Sequence, residues 1–139
     1  MRKLKRLVRL PGSERSLLLR AFLTVSVVHI SLQILKVANA KRLALRVARL
    51  SAERSISVDR CVWAVKAISR YSPRATCLTQ ALAVHALLVR SGHESCVEIG
   101  VVRSAERLEA HAWVTCEGQV VVGGGPDIAR FARLAAWED

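Results

Sequence analysis

The chain has 139 residues, 52% of them hydrophobic and few of them proline or glycine, which suffices for one domain with a buried core and argues against a disordered chain. Its net charge of +11 favours acidic partners, such as an acidic peptide, an anionic membrane surface or a nucleic acid. Aromatic residues make up only 4% of the chain, and no zinc-finger, helix-turn-helix or RNA-stacking motif is present, so nucleic-acid binding is not expected.

The four cysteines are Cys61, Cys77, Cys96 and Cys116. They form no CxxC pair and no close cluster with histidine, so the sequence predicts neither a metal site nor a cofactor. A disulfide framework is not expected either, because the chain is long and apolar enough to form a core without one.

The first ten residues are basic and could be mistaken for the start of a signal peptide. The apolar stretch lies beyond Pro11 and lacks a small-residue cleavage site, so we expect the segment to be retained. Polar residues interrupt the apolar run from Leu17 to Leu35, whereas a membrane span needs about 20 mostly apolar residues. The run therefore favours a buried amphipathic helix, with peripheral membrane contact left open.

Two helical segments are predicted in the N-terminal region. Ser13 is placed as the N-cap of a helix that runs to about Ala38. Residues 36–54 are rich in Arg, Ala and Leu at helical spacing, which predicts a second helix or a bent continuation of the first. We expect residues 13–56 to form a helical region within a single domain of residues 1–139.

Two further helices follow in the predicted catalytic core, residues 57–139. Ser57 precedes a helix from Val58 to about Arg70, which ends before Pro73 because the residue before proline avoids helical angles. Thr76 is predicted to cap the next helix, which would begin at Cys77 and stop near Gly92.

The hydrophobic period changes from helical to alternating after Gly92. Alternation around Val97–Val101 predicts a strand with one buried face, and residues 108–116 predict a second strand. Glu117–Gly118 form the predicted hairpin turn, and residues 119–122 form the returning strand. Residues 127–137 are predicted to form a short final helix after the Gly-rich residues 123–126. The order of elements indicates an α+β fold.

Two residues carry the candidate chemistry. A thiol at a helix N-terminus, such as that of Cys77, faces unpaired N–H groups and the positive end of the helix dipole, which favour the nucleophilic thiolate. His111 lies in the middle of a predicted strand beside Trp113, where an imidazole could act as a general base. The alternatives are a small buried cysteine and a half-buried strand histidine.

Four short stretches together resemble the lasso-peptide leader peptidase family, with a match from about Arg60 to Gly125. They are PRATCL at residues 73–78, ALA at 81–83, IGV at 99–101 and EAHAWV at 109–114. That family is similar in its core to transglutaminases and papain-like enzymes, in which the cysteine opens a helix and the histidine lies on an adjoining antiparallel sheet. The resemblance implies the same arrangement here, with the helical N-terminal half packed on this core.

The resemblance implies a thiol protease. Cys77 would attack the peptide bond between leader and core of a ribosomally made precursor, and His111 would take its proton. The acyl-enzyme would then be hydrolysed, freeing the amine of the core peptide for macrolactam cyclisation. We also predict that Thr76 and Trp113, next to these residues, contact the substrate.

The third catalytic residue is left open by a departure from the family pattern. Relatives often carry an aspartate about where Gly123 or Gly124 stands in this chain. Asp127 is the favoured replacement, and Glu109, two residues before His111 on the same strand face, is an alternative. A dyad in which a backbone carbonyl orients the imidazole is the remaining possibility.

The resemblance also implies partners and a cytoplasmic location. A small separate leader-binding protein would deliver the precursor peptide, and an ATP-dependent lasso cyclase would close the ring. Two rival functions are kept: an acyl or amide transferase, because an acyl-thioester also reacts with amines, and a non-catalytic basic adaptor for an acidic peptide or a membrane.

Overall fold

The computed structural model describes residues 10–49, 55–72, 75–125 and 128–138. Within these ranges the chain forms four α-helices, one short 3-10 helix at Ile128–Arg130 and four strands, so the protein has the α+β fold predicted from sequence. The helices are α1 (Gly12–Ile34), α2 (Val37–Arg49), α3 (Val58–Ser69) and α4 (Cys77–Arg90). The strands are β1 (Ser95–Arg103), β2 (Leu108–Cys116), β3 (Gln119–Val122) and β4 (Ala132–Glu138).

The N-terminal region forms two separate helices, and the predicted run to Ala38 is wrong. Leu35 is extended, with φ −114° and ψ 160°, which ends α1 before α2 begins. The predicted cap at Ser13 is also wrong, because Pro11 precedes the helix and its carbonyl accepts the N–H groups of Glu14 and Arg15 at 3.0 and 3.1 Å. Proline has its φ fixed near the helical value, so it favours an earlier start.

The predicted starts of α3 and α4 are confirmed. Ser57 precedes α3, and Thr76 caps α4 with a side-chain oxygen that accepts the Thr79 N–H at 3.2 Å. The left-handed Gly92, with φ +87°, follows α4, and the next residue, His93, donates its N–H to Leu88 at 2.9 Å. Helix α4 is buried on all sides from Ala81 to Leu88, since it lies between the other helices and the sheet.

The sheet has the order β3-β2-β1-β4, with all neighbours antiparallel. The predicted bounds of β2 and β3 are those observed, and the turn between them has positive φ at both Glu117 and Gly118. The predicted final helix is wrong: residues 132–138 pair with β1 as strand β4. This pairing gives hydrogen-bond partners to the backbone groups of β1 on the side that does not face β2. Such pairing between distant segments is not indicated by the alanine-rich local sequence.

Both faces of the sheet are covered, although the sequence predicted one buried face. Val97, Ala112 and Val114 belong to the core shared with the helices. On the opposite face Glu98 and Trp113 are only 7% and 5% exposed. Gly123 and Phe131, which belong to the connection between the two edge strands β3 and β4, lie on this second face: a Cβ on Gly123 would lie 2.9 Å from the Cα of Trp113, and the Phe131 ring centroid lies 5.4 Å from that of His111.

The α4 cap offers a test of this part of the fold. We expect Thr76→Ala to lower the free energy of unfolding by roughly 0.5–2 kcal/mol, because the Thr79 N–H loses its acceptor. Thr76→Ser keeps an acceptor oxygen and serves as the control. Urea denaturation followed by circular dichroism measures both, and equal stability of Thr76→Ala and the unmutated chain would contradict the capping role.

Candidate active site

Cys77 is the first residue of α4, as predicted, and its side chain is partly exposed. The preceding residue, Thr76, is exposed but uses its hydroxyl to cap the helix, within 3.1 Å of the Thr79 hydroxyl. The first turn of any α-helix presents N–H groups that have no intrahelical acceptor. The thiol therefore lies beside unpaired backbone donors and the positive end of a buried helix.

His111 lies on β2, partly buried, and hydrogen-bonds through Nε2 to the carbonyl oxygen of Gly123 at 2.6 Å. A carbonyl oxygen only accepts, so Nε2 must carry the proton of this bond. In the neutral ring the other nitrogen, Nδ1, is then the basic one. This contact is the one required by the alternative in which a backbone carbonyl, and not an acid, orients the imidazole.

The position of the Gly123 carbonyl depends on a close approach of the backbone. Gly123 has φ +78°, and a Cβ atom placed on it would lie 2.5 Å from the Ala112 carbonyl oxygen and 2.9 Å from the Cα of Trp113. Only glycine fits a position with this φ and this proximity to another strand. At Gly124 an added Cβ would meet only the side chain of Val120, at 3.0 Å.

Ideal helix and strand dimensions give an estimate of the level of Cys77 along the sheet. Four residues join α4 to β1, and the His85 Nδ1 lies 2.8 Å from the Ser95 hydroxyl, which aligns the middle of α4 with the start of β1. The rise from His85 back to Cys77 is about 12 Å, or about four residues of strand. Along β1 that distance corresponds to Ile99, whose partner on β2, Ala112, faces the helices, whereas the adjacent His111 faces the other side of the sheet.

Within the described ranges no hydrogen bond joins the Cys77 thiol to His111. His111 shares its strand face with Trp113, whereas the alternate residues Ala112 and Val114 belong to the core beneath the helices. The structure thus gives the imidazole a proton acceptor, but it places His111 on the face away from the helices and does not pair it with Cys77. Their catalytic roles stay a prediction.

Trp113 is held by a buried carboxylate. Its indole Nε1 donates to Glu98 Oε2 at 2.6 Å, and Arg133 of β4 forms an ion pair with the same oxygen at 3.1 Å. The indole lies beside His111, with ring centroids 6.2 Å apart. With 5% of Trp113 exposed, its contact in this structure is with the imidazole, and its predicted contact with substrate stays a prediction.

A cavity of about 350 Å³ opens beside the imidazole. Phe131 bounds it, with its ring centroid 5.4 Å from that of His111. Glu109, the alternative acid, is exposed and lines the cavity, but no hydrogen bond joins it to His111 in the described part of the chain. Asp127, the favoured acid, lies outside the described residues. The other described lining residues are Gly123, Gly124, Gly125, Ile128 and Arg130.

The other three thiols differ from Cys77 in their environment. Burial is the main cause that raises the pKa of Cys61, Cys96 and Cys116 above the ordinary thiol value, and the carboxylates of Glu98 and Glu138 add to it at Cys96. A raised pKa leaves less thiolate at neutral pH. These three thiols are therefore weaker nucleophiles at neutral pH than a thiol of ordinary pKa.

Sequence reasoning missed three residues that shape the site. Glu98 was placed on a solvent face, the role of the Gly123 carbonyl was not specified, and Phe131 was assigned to a helix. The available signal was Gly100: an added Cβ there would lie 2.8 Å from both Phe131 and Trp113. A glycine in the middle of a strand often marks close approach by another group.

Comparison with protein families gives one match. The family model described as the transglutaminase-like superfamily matches residues 19–136, which is most of the chain and includes the N-terminal helices. Neither the search of curated proteins nor the search of solved structures gives a significant match.

The difference among the thiols predicts selective alkylation. At neutral pH we expect iodoacetamide to modify Cys77 first, and Cys61, Cys96 and Cys116 to react only as the pH rises towards their raised pKa values. Peptide mapping by mass spectrometry after a short exposure measures this, with urea-unfolded protein as the control in which all four react. Equal labelling of the four in folded protein would contradict it.

The close approach at Gly123 can be separated from its φ by a matched pair of variants. Gly118 has the same φ of +78° but open space around it, so Gly118→Ala reports the cost of φ alone. We expect Gly123→Ala to lower the free energy of unfolding by roughly 1–3 kcal/mol more than Gly118→Ala, because its methyl group meets backbone atoms. Thermal or urea unfolding measures both, and equal losses would mean that the crossing segment moves away freely.

Proposed function

Because this chain belongs to the transglutaminase-like superfamily, we propose that it is a cysteine peptidase that removes the leader from a ribosomally synthesised lasso-peptide precursor. The superfamily uses this fold for cysteine proteases and transferases. The choice of leader removal rests on the sequence resemblance at residues 73–78 and 109–114.

The observation that best supports a thiol enzyme is the hydrogen bond from His111 Nε2 to the Gly123 carbonyl. It fixes the imidazole in the tautomer whose free Nδ1 can accept a proton. A catalytic base needs a fixed tautomer before it can activate a thiol. The carbonyl thereby does the orienting that relatives assign to an aspartate.

The proposed reaction begins when His111 Nδ1 takes the proton of the Cys77 thiol. The thiolate attacks the carbonyl carbon that joins leader to core, and the N–H groups of Cys77 and Leu78, at the start of α4, stabilise the oxyanion. The imidazolium then gives its proton to the leaving amine, which is the N-terminus of the core peptide. Water, deprotonated by the imidazole, hydrolyses the thioester and releases the leader with a carboxylate.

This sequence requires Cys77 Sγ and the His111 imidazole to meet. In the structure Cys77 begins a helix on one face of the sheet and His111 lies on the other face, so the proposal requires a rearrangement of this part of the chain when substrate binds. Catalytic hydrogen bonds in unliganded enzymes are often long and tighten only in the complex. The cavity beside His111 and the partly exposed start of α4 are the surfaces that the substrate would contact.

The proposal includes separate partners. A domain of this size has little surface left for a long leader once the core is formed, so a leader-binding protein would deliver the precursor. An ATP-dependent cyclase would then consume the freed amine. Both the precursor and ATP belong to the cytoplasm, which we propose as the location.

The test is incubation of the precursor encoded beside this gene with its leader-binding protein and this chain, followed by mass spectrometry. We expect the unmutated chain and Cys96→Ala to cleave the leader, and Cys77→Ala to leave the precursor intact. His111→Ala should slow cleavage by roughly 10²- to 10⁴-fold, the usual contribution of a general base.

The product mass decides between the two enzyme classes. A leader with the mass of a free carboxylic acid supports hydrolysis, whereas a leader joined to an added amine supports acyl transfer by the same thioester. An intact precursor with every variant, or equal cleavage with all of them, would reject the catalytic assignment and favour the adaptor.

A further inference from the structure

The outer face of α1 is apolar and exposed. Five large side chains lie on it, between 47% and 77% exposed, and we call them the outer stripe: Leu19, Phe22, Leu23, Ile30 and Ile34. Their spacing of three, one, seven and four residues keeps them on one side of a helix. From Leu19 to Ile34 the stripe is about 22 Å long at the rise of an α-helix.

The opposite face of α1 is already occupied. Leu17, Ala21 and Val28 are fully buried, and α1 contacts α2, α3 and α4. The helix is therefore apolar on both sides, a pattern typical of helices that are covered all round. By length and composition alone α1 could cross a membrane, but 39% of its most apolar window is buried inside the protein, and spanning would break those contacts.

An apolar groove extends the outer stripe towards α3. It has a volume of about 230 Å³ and is lined by Phe22 and Ile30 of the stripe together with Ile68 and Tyr71. Tyr71 is 64% exposed. Tyrosine is enriched where a protein surface meets the boundary between lipid and water, because its ring is apolar and its hydroxyl is polar.

The net positive charge of the chain comes from the same N-terminal part. Residues 1–52 contain twelve Lys and Arg and one acid, Glu14, whereas residues 53–139 contain ten basic and ten acidic residues. The whole net charge of +11 thus belongs to the N-terminal region, and the half with Cys77 and His111 is neutral. No acidic residue occurs between Arg15 and Ala52.

We propose that this protein docks on an anionic lipid bilayer, with α1 in the plane of the membrane and the outer stripe in the boundary between headgroups and acyl chains. An apolar helix face combined with a high density of cations is what in-plane binding to anionic lipid requires. Charge complementarity favours a bilayer over a second copy of this chain, since two copies would bring together two regions of the same sign. The inference does not rest on the peptidase proposal.

Vesicle flotation with the full chain tests the docking. We expect the unmutated chain to float with vesicles of phosphatidylcholine and phosphatidylglycerol, and much less with phosphatidylcholine alone. Leu19→Glu and Ile34→Glu, at stripe positions 60% and 77% exposed, should each reduce flotation by at least about tenfold, because a charge replaces an inserted apolar side chain.

The sheet supplies matched controls. Leu108 and Leu134 are 71% and 67% exposed, so Leu108→Glu and Leu134→Glu change charge and exposed apolar area equally but lie outside α1. We expect both to float like the unmutated chain. Circular dichroism shows whether each variant folds, and added salt should weaken flotation of the unmutated chain by screening the cations.

Three outcomes would overturn the proposal. One is unchanged flotation of folded Leu19→Glu and Ile34→Glu, and another is equal flotation with neutral and anionic vesicles. The third is an unmutated chain that does not float but self-associates, as measured by light scattering. If the stripe variants abolish that self-association, the stripe binds a second copy of this chain. We expect Cys77→Ala to float like the unmutated chain although it should not cleave the precursor. Flotation and cleavage therefore test the docking proposal and the peptidase proposal separately.

Discussion

The arrangement around His111 depends on one topological constraint, which is that the chain must cross the sheet between β3 and β4. These strands form opposite edges, the helices pack on one face, and Gly123 and Phe131 of the connection contact the other face. Gly123 begins this crossing so close to the backbone of β2 that no side chain fits. The same approach sets a carbonyl oxygen against His111.

The contact at Gly123 also shows how an imidazole can be oriented where, among the described residues, no acid hydrogen-bonds to it. A backbone carbonyl fixes the tautomer but brings no full negative charge to an imidazolium, which is the second contribution of an aspartate in a triad. Of the two positions at which relatives would carry that aspartate, Gly123 cannot hold a side chain, whereas a Cβ on Gly124 would meet only the side chain of Val120. A relative with an aspartate at the position of Gly124 could therefore keep the contact between the Gly123 carbonyl and the histidine without a change of backbone conformation.

The second face of the sheet is held by a buried carboxylate rather than by apolar packing alone. Glu98 accepts from Trp113 and pairs with Arg133, so it joins β1, β2 and β4 in one polar contact. Lys41 of α2 adds a link from the helical region to the last strand, since its amine lies 3.0 Å from the Glu138 carbonyl oxygen. The basic region and the neutral core thus form one folded unit with separate surfaces.

The sequence by itself determined what depends on neighbours along the chain. The cap at Thr76, the start of α4 at Cys77, the left-handed Gly92 and the hairpin at Glu117–Gly118 all follow from local backbone preferences, and each was predicted at the observed residue. The α+β order followed from the change of hydrophobic period. Local signals were weaker at the start of α1, where proline and serine compete for the cap.

Only the tertiary structure decided the contacts between distant segments. The last strand was predicted as a helix because residues 132–138 have no strong local preference, and pairing with β1 is what makes them extended. The sequence likewise did not predict three other features: the burial of Glu98, the carbonyl that His111 contacts and the exposure of the outer stripe. Each of these features depends on which face of an element a distant segment covers. Periodicity shows which residues share a face, but it does not show which segment packs on that face.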